Sequence, residues 1–207
     1  MKPVLVVASA NPDKSEEIRA ILGAARPDII LLSRPADVPD VEETGDTLED
    51  NARLKARALC DATGLAAVAD DTGLEVVALG GAPGVHTARF AGPHATYADN
   101  VAHMLAVMEG VTDRRARFRT VALVCWPSGD ECSAEGVVDG VITTSRRGDA
   151  GFGYDPVFAP DGAGGATFAE LGAEAKHRIS HRARAFLALA ALLPAAPTAD
   201  LDGLTNP

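Results

Sequence analysis

Two aspartates stand side by side at Asp70-Asp71, after the apolar run Ala66 to Ala69 and before Thr72-Gly73. Unit charges 4 Å apart repel by roughly 4 kcal/mol at an effective dielectric of about 20. A nearby cation relieves that cost, so the pair points to metal-assisted chemistry, although aspartates ending a strand also form plain Asx turns. A second acidic segment, Glu42-Glu43-Thr44-Gly45, precedes Glu49, Asn51 and Lys55. Magnesium takes oxygen ligands, typically one or two carboxylates with substrate phosphates and water. Asn51 and Lys55 share a helix face and present an amide and an ammonium together. The plainer alternative is a solvated acidic loop.

Cations that could meet an anionic substrate lie at two other places. Ser9-Ala10-Asn11-Pro12-Asp13-Lys14 joins a strand to a helix. Outward N–H groups at a helix N-terminus favour an anion, and Lys14 adds a full charge one turn in. The spaced glycines and Lys-Ser/Thr pair of a P-loop are absent; the alternative is a capped helix with a surface lysine. Late in the chain, Lys176-His177-Arg178-Ile179-Ser180-His181-Arg182, with Arg184 beyond, forms the strongest basic cluster. It is expected at the start of the last helix, where its charge opposes the helix dipole. A substrate-facing role accounts for that placement, and a surface patch is the alternative. Between these segments, Gly151-Phe152-Gly153-Tyr154-Asp155-Pro156 sets two rings among glycines in a chain only 4% aromatic. Such rings can stack on a base or fill a core behind a turn.

The elements that must position these groups are legible in outline. Residues 3–8 are a short β-branched run, read as a buried strand. Asn11 caps and Pro12 starts a helix to about Ala24. Ile29 to Leu32 is a second strand. Thr47, with Asp50 three positions later, caps a helix over 48–62 that Gly64 closes. Ala66 to Ala69 is a strand expected to end at Asp70, with extension resuming over 74–79. A helix follows over 98–109. Strands over 116–126 and 131–143 form a hairpin about Pro127-Ser128-Gly129-Asp130. Residues 151–158 loop into a strand, and the last helix spans 179–193. The order predicts an α/β fold, a mixed twisted central sheet with flanking helices. Residues 1–193 form one domain, and the Pro- and Ala-rich stretch 194–207 is expected to be disordered.

Bulk properties limit the partners. The 207 residues carry a net charge of −10 and are 47% hydrophobic. That balance disfavours nucleic acid, whose binding rests on a basic surface, yet admits a triphosphate where a metal and local cations reverse the field. The apolar runs are too short for a membrane span, and Val4 to Val7 lacks the length and cleavage site of a signal peptide. Three cysteines without metal-ligand spacing read as reduced thiols of a cytoplasmic protein.

Taken in order, these segments resemble the inosine triphosphate pyrophosphatase family, the bacterial purine house-cleaning enzymes. Leu79-Gly80-Gly81-Ala82-Pro83-Gly84-Val85 and Ala88-Arg89-Phe90-Ala91-Gly92 carry the likeness further, and it spans Val4 to about Leu193. The resemblance implies two lobes flanking a substrate cleft, a homodimer, and magnesium-dependent hydrolysis of ITP, dITP or XTP to the monophosphate and pyrophosphate. Position by position, it implies that Ser9, Ala10, Asn11, Pro12, Asp13 and Lys14 hold phosphates and that Lys55 supports the triphosphate. Glu43 is the implied metal ligand, with Glu42 the alternative. Asp71 becomes base and metal ligand, and Thr72 stands where the family commonly has Ser. Phe152, Gly153, Tyr154 and Asp155 form the base-binding loop, with Lys176, His181 and Arg182 near the purine. Rival readings are a pyrophosphatase for modified pyrimidine triphosphates and a non-catalytic nucleotide sensor.

Overall fold

A computed structural model describes residues 2–194. Among the described residues, seven strands form one sheet: β1 (Val4–Val7), β2 (Ile30–Leu32), β3 (Ala66–Val76), β4 (Pro83–Gly84), β5 (Arg115–Cys125), β6 (Glu131–Ile142) and β7 (Phe158–Pro160). The order across the sheet is β2-β1-β3-β5-β6-β7, with β4 added to β3. β1 runs parallel to β2 and β3, and the other pairs are antiparallel. The helices are α1 (Pro12–Ala25), α2 (Leu48–Thr63), α3 (Tyr97–Val107), α4 (Ala173–Ile179) and α5 (His181–Leu192). The architecture is the expected α/β mixed sheet with flanking helices.

Local signals account for the helix starts. The Asn11 side chain accepts the Lys14 N–H at 3.2 Å, and Pro12 needs no donor there. The Thr47 hydroxyl accepts the Asp50 N–H at 3.1 Å, and Gly64 closes α2. Period-2 alternation sends successive residues of β3 and β5 into different cores. Val68, Ala122 and Val124 pack against α1 and α5. Ala67, Ala69, Val121 and Leu123 pack against α2. At the other end of the same strands, Leu74, Val76, Ala116 and Phe118 join Met104, Phe158 and Phe168.

Two expectations are corrected. The strand after Gly64 does not stop at Asp70: β3 continues to Val76, paired throughout with β5. What ends there is the neighbour, because β1 pairs with β3 only as far as Val7 opposite Val68. Strand β4 takes up that edge again at Leu74. Asp70, Asp71 and Thr72 therefore lie at an open notch of a continuous strand, beyond the carboxyl end of β1. The late basic cluster is divided as well. Lys176 lies within the short helix α4, while His181 and Arg182 begin α5 after Ser180. Ser180 ends one helix and caps the next, accepting the Ala183 N–H at 3.1 Å. The disorder expected over 194–207 falls, beyond Pro194, outside the described residues.

Candidate active site

The notch in the sheet opens into a cleft that Phe118 and Tyr154 of one core and Val85 beside another help to line. Lys14, Glu43, Asp71, Thr72, Phe152, Lys176, His181 and Arg182 are among its lining residues. A contiguous pocket continues along Ala8, Ser9, Ala10, Asn11, Lys14, Glu43 and Lys55. The residues singled out from sequence are thus drawn together from five separate segments. Asp13 is one exception: it lines neither pocket, and its carboxylate instead accepts the Tyr97 hydroxyl at 3.3 Å. Pro12 likewise stays outside both.

Asp71 faces α2. Asn51 Nδ2 donates to its Oδ2 at 3.3 Å, and Lys55 Nζ to its Oδ1 at 3.0 Å. Lys55 also reaches Glu43 Oε1 at 2.6 Å, so one ammonium bridges two carboxylates. Glu42 is exposed and lines neither pocket. Burial pushes the Asp71 carboxyl above its ordinary range; Lys55 and Lys14 oppose the shift and Glu43 adds to it. Burial disfavours the Lys55 charge, yet Asp71 and Glu43 outweigh it and raise the ammonium above its ordinary range.

Asp70 faces α1 and α5. Its Oδ2 accepts Arg182 Nε and Nη2, each at 3.2 Å, and Lys14 Nζ lies 3.9 Å away. Burial opposes its charge, but Lys14, Arg182 and Lys55 prevail and hold it far below the usual carboxylate range. Its Oδ1 is buried with no partner among the described residues.

The far wall rests on a buried ion network that sequence reasoning missed in part. Lys176 Nζ donates to Asp155 Oδ2 at 2.6 Å and to Glu17 Oε1 at 2.8 Å. Arg182 Nη1 donates to Glu17 Oε2 at 2.5 Å. The Arg182 side chain is only 2% exposed. An ammonium has three donors; Lys176 spends two on these carboxylates and keeps one for the cleft it lines. Its Nζ sits 4.6 Å from the Phe152 ring centroid, and the Phe152 N–H bonds Asp155 Oδ2 at 2.9 Å. Tyr154 is fixed in the wall, its hydroxyl donating to Thr87 O at 3.0 Å. Phe152 is the more open ring. Glu17 carries no local mark, since it sits on α1 among charged neighbours; only partners 159 and 165 residues away reveal it. His177 and Arg178 line a different groove, away from the site.

A profile of the Ham1 family matches residues 5–192. The chain belongs to the Ham1 family. This Ham1-family chain is 47% identical over 188 residues to the dITP/XTP pyrophosphatase of Syntrophobacter fumaroxidans, covering 90% of this chain and 80% of that one. The solved HAM1 protein of Coxiella burnetii matches with a TM-score of 0.83 at 37% identity, covering 92% of this chain and 98% of that one. The nucleoside-triphosphatase / dITP/XTP pyrophosphatase of Mycobacterium abscessus matches at 44% identity and a TM-score of 0.72, with the same coverage.

Proposed function

We propose that this chain hydrolyses deaminated purine nucleoside triphosphates (ITP, dITP and XTP) to the monophosphate and pyrophosphate. The observation that carries this reading is the single cleft itself. It has carboxylates and lysines at one end, and a ring with a buried lysine and arginine at the other. The names of relatives alike over nine-tenths of the chain point the same way.

The phosphates lie along the N-terminus of α1, with Lys14 and Lys55 countering their charge. The donor set suits magnesium: Glu43 and Asp71 offer hard carboxylate oxygens at the phosphate end, and Asp70 Oδ1 is a buried oxygen in want of a partner. Magnesium held there supplies charge neutralisation and a more acidic water. Asp71, its proton affinity raised by burial, receives the proton of the attacking water. Lys55 orients that carboxylate and stabilises the leaving pyrophosphate. At the other end the purine lies against Phe152, and the free N–H of Lys176 donates to the 6-oxo group. The 6-amine of adenine leaves that donor unpaired, and sites of this kind reject the wrong analogue by up to about 10⁴-fold. Free, reduced cysteines accord with a cytoplasmic setting, and the family likeness suggests a homodimer.

The test is a panel of ITP, XTP, dITP, GTP, ATP, dTTP and UTP with magnesium, scored for pyrophosphate against orthophosphate. Pyrophosphate from the first three supports the proposal. Orthophosphate as product, or preference for ATP or a pyrimidine, removes it; no turnover with tight binding leaves a sensor.

A further inference from the structure

One row of hydroxyls crosses the sheet toward the base end of the cleft. Thr72 on β3 lies directly opposite Thr120 on β5, and Thr120 opposite Gly136 on β6. Thr72 Oγ1 and Thr120 Oγ1 are 2.7 Å apart, and Thr120 Oγ1 is 2.6 Å from His181 Nδ1. Thr120 is fully buried. Gly136 makes the last contact possible: a Cβ there would stand 2.1 Å from His181 O and 2.4 Å from Ala185 N. Only a glycine lets the first turn of α5 close on the sheet.

The direction of each hydrogen bond in this row is fixed from its far end. Asp70 is ion-paired and can only accept. Thr72 Oγ1 is 3.1 Å from Asp70 Oδ2. Thr72 has one proton, and withholding it from Asp70 would set hydroxyl and carboxylate lone pairs against each other. Thr72 therefore donates to Asp70 and accepts from Arg182 Nη2 at 3.2 Å and from the Thr120 hydroxyl. Thr120 has then spent its proton, so it must accept from His181 Nδ1–H. The imidazole is neutral, since burial, Arg182 and Lys176 all disfavour a further charge. Its Nε2, without a hydrogen-bond partner among the described residues, carries a lone pair in a ring that lines the cleft.

We propose that the Asp70–Thr72–Thr120 relay locks His181 as the Nδ1–H tautomer, so that its Nε2 accepts the N1–H of a 6-oxopurine. Hypoxanthine and xanthine offer an acceptor at O6 and a donor at N1; adenine offers the reverse pair. Lys176 reads the first position and His181 the second. Thr120 acts through His181 and is a positioning residue. The reading of N1–H rests on the function proposed above; the locked tautomer does not.

The experiment pairs ¹⁵N NMR of the five histidines, with His181 assigned by its loss in His181→Gln, with kcat/KM for dITP and dATP. In the wild-type protein His181 is expected as the Nδ1–H tautomer. Thr120→Val should release it toward Nε2–H and lower the dITP-to-dATP ratio by about tenfold or more. Thr120→Ser should keep both wild-type values, which a mere packing role for the methyl group would not. A wild-type Nε2–H tautomer, or an unchanged ratio in Thr120→Val, overturns the proposal. If the wild-type protein leaves dITP intact, the functional reading fails, and the wild-type tautomer still decides the relay.

Discussion

Asp70 and Asp71 are adjacent in the chain and face opposite sides of β3, one bound to Arg182 and the other to Lys55. Strand alternation does this without any turn. One acidic pair becomes two carboxylates of different character: Asp70 is locked in charge by Arg182 and Lys14, and Asp71 is lifted toward protonation by burial.

The two neutral variants should therefore fail differently. Asp71→Asn is expected to lower kcat by about 10²–10⁴-fold with little change in melting temperature, because burial already disfavours its charge. Asp70→Asn leaves the buried Arg182 with Glu17 as its one carboxylate partner among the described residues, removes the charge opposite Lys14, and should cost about 3–5 kcal/mol of stability. Thermal denaturation beside steady-state kinetics separates them; a stable, active Asp71→Asn would remove Asp71 from the role of base.

Glu17 joins α1, which carries the phosphate end, to Lys176 and Arg182 at the base end. Burial opposes its charge, but Arg182 and Lys176 prevail and lower its pKa below the ordinary 4.5. The unfolded chain therefore binds the proton first as pH falls. The stabilisation is complete above about pH 4.5 and is lost as pH drops toward the folded-state value. Melting temperature measured from pH 6 to 3 should fall on the acid side. Glu17→Gln should be less stable at neutral pH by about 3–5 kcal/mol and show a shallower acid loss. Equal slopes in both proteins would contradict this.

Gly136→Ala should press α5 off the sheet, since the nearest atoms are backbone and cannot rotate away. A loss of about 1–3 kcal/mol is expected from such overpacking, with a higher KM for dITP as His181 shifts. Denaturation and kinetics on the one variant check both.

Local rules found what local forces decide. Asn11, Thr47 and Gly64 mark the ends of α1 and α2 because caps are satisfied within one turn. The β5–β6 hairpin is legible from its turn residues and apolar runs. The continuation of β3 through two charges was not, because its support comes from across the sheet and from a residue 112 positions away. Helix α4 carries no legible signal because it is rich in charge, with Lys176 its one buried residue and no side-chain cap. Among the site residues, Lys14, Glu43, Lys55, Asp71 and the Lys176–Arg182 cluster stand out as charges in suggestive places. Thr120 and Gly136 look like ordinary strand positions, and only the register with Thr72 and the approach of α5 sets them apart.

The most direct test of the account is hydrolysis of dITP and dATP in H₂¹⁸O with magnesium, the products weighed by mass spectrometry. Attack at the α-phosphorus places one ¹⁸O in dIMP and leaves the pyrophosphate unlabelled, with dATP turned over far more slowly. Label in pyrophosphate or orthophosphate, or dATP consumed as fast as dITP, would contradict it.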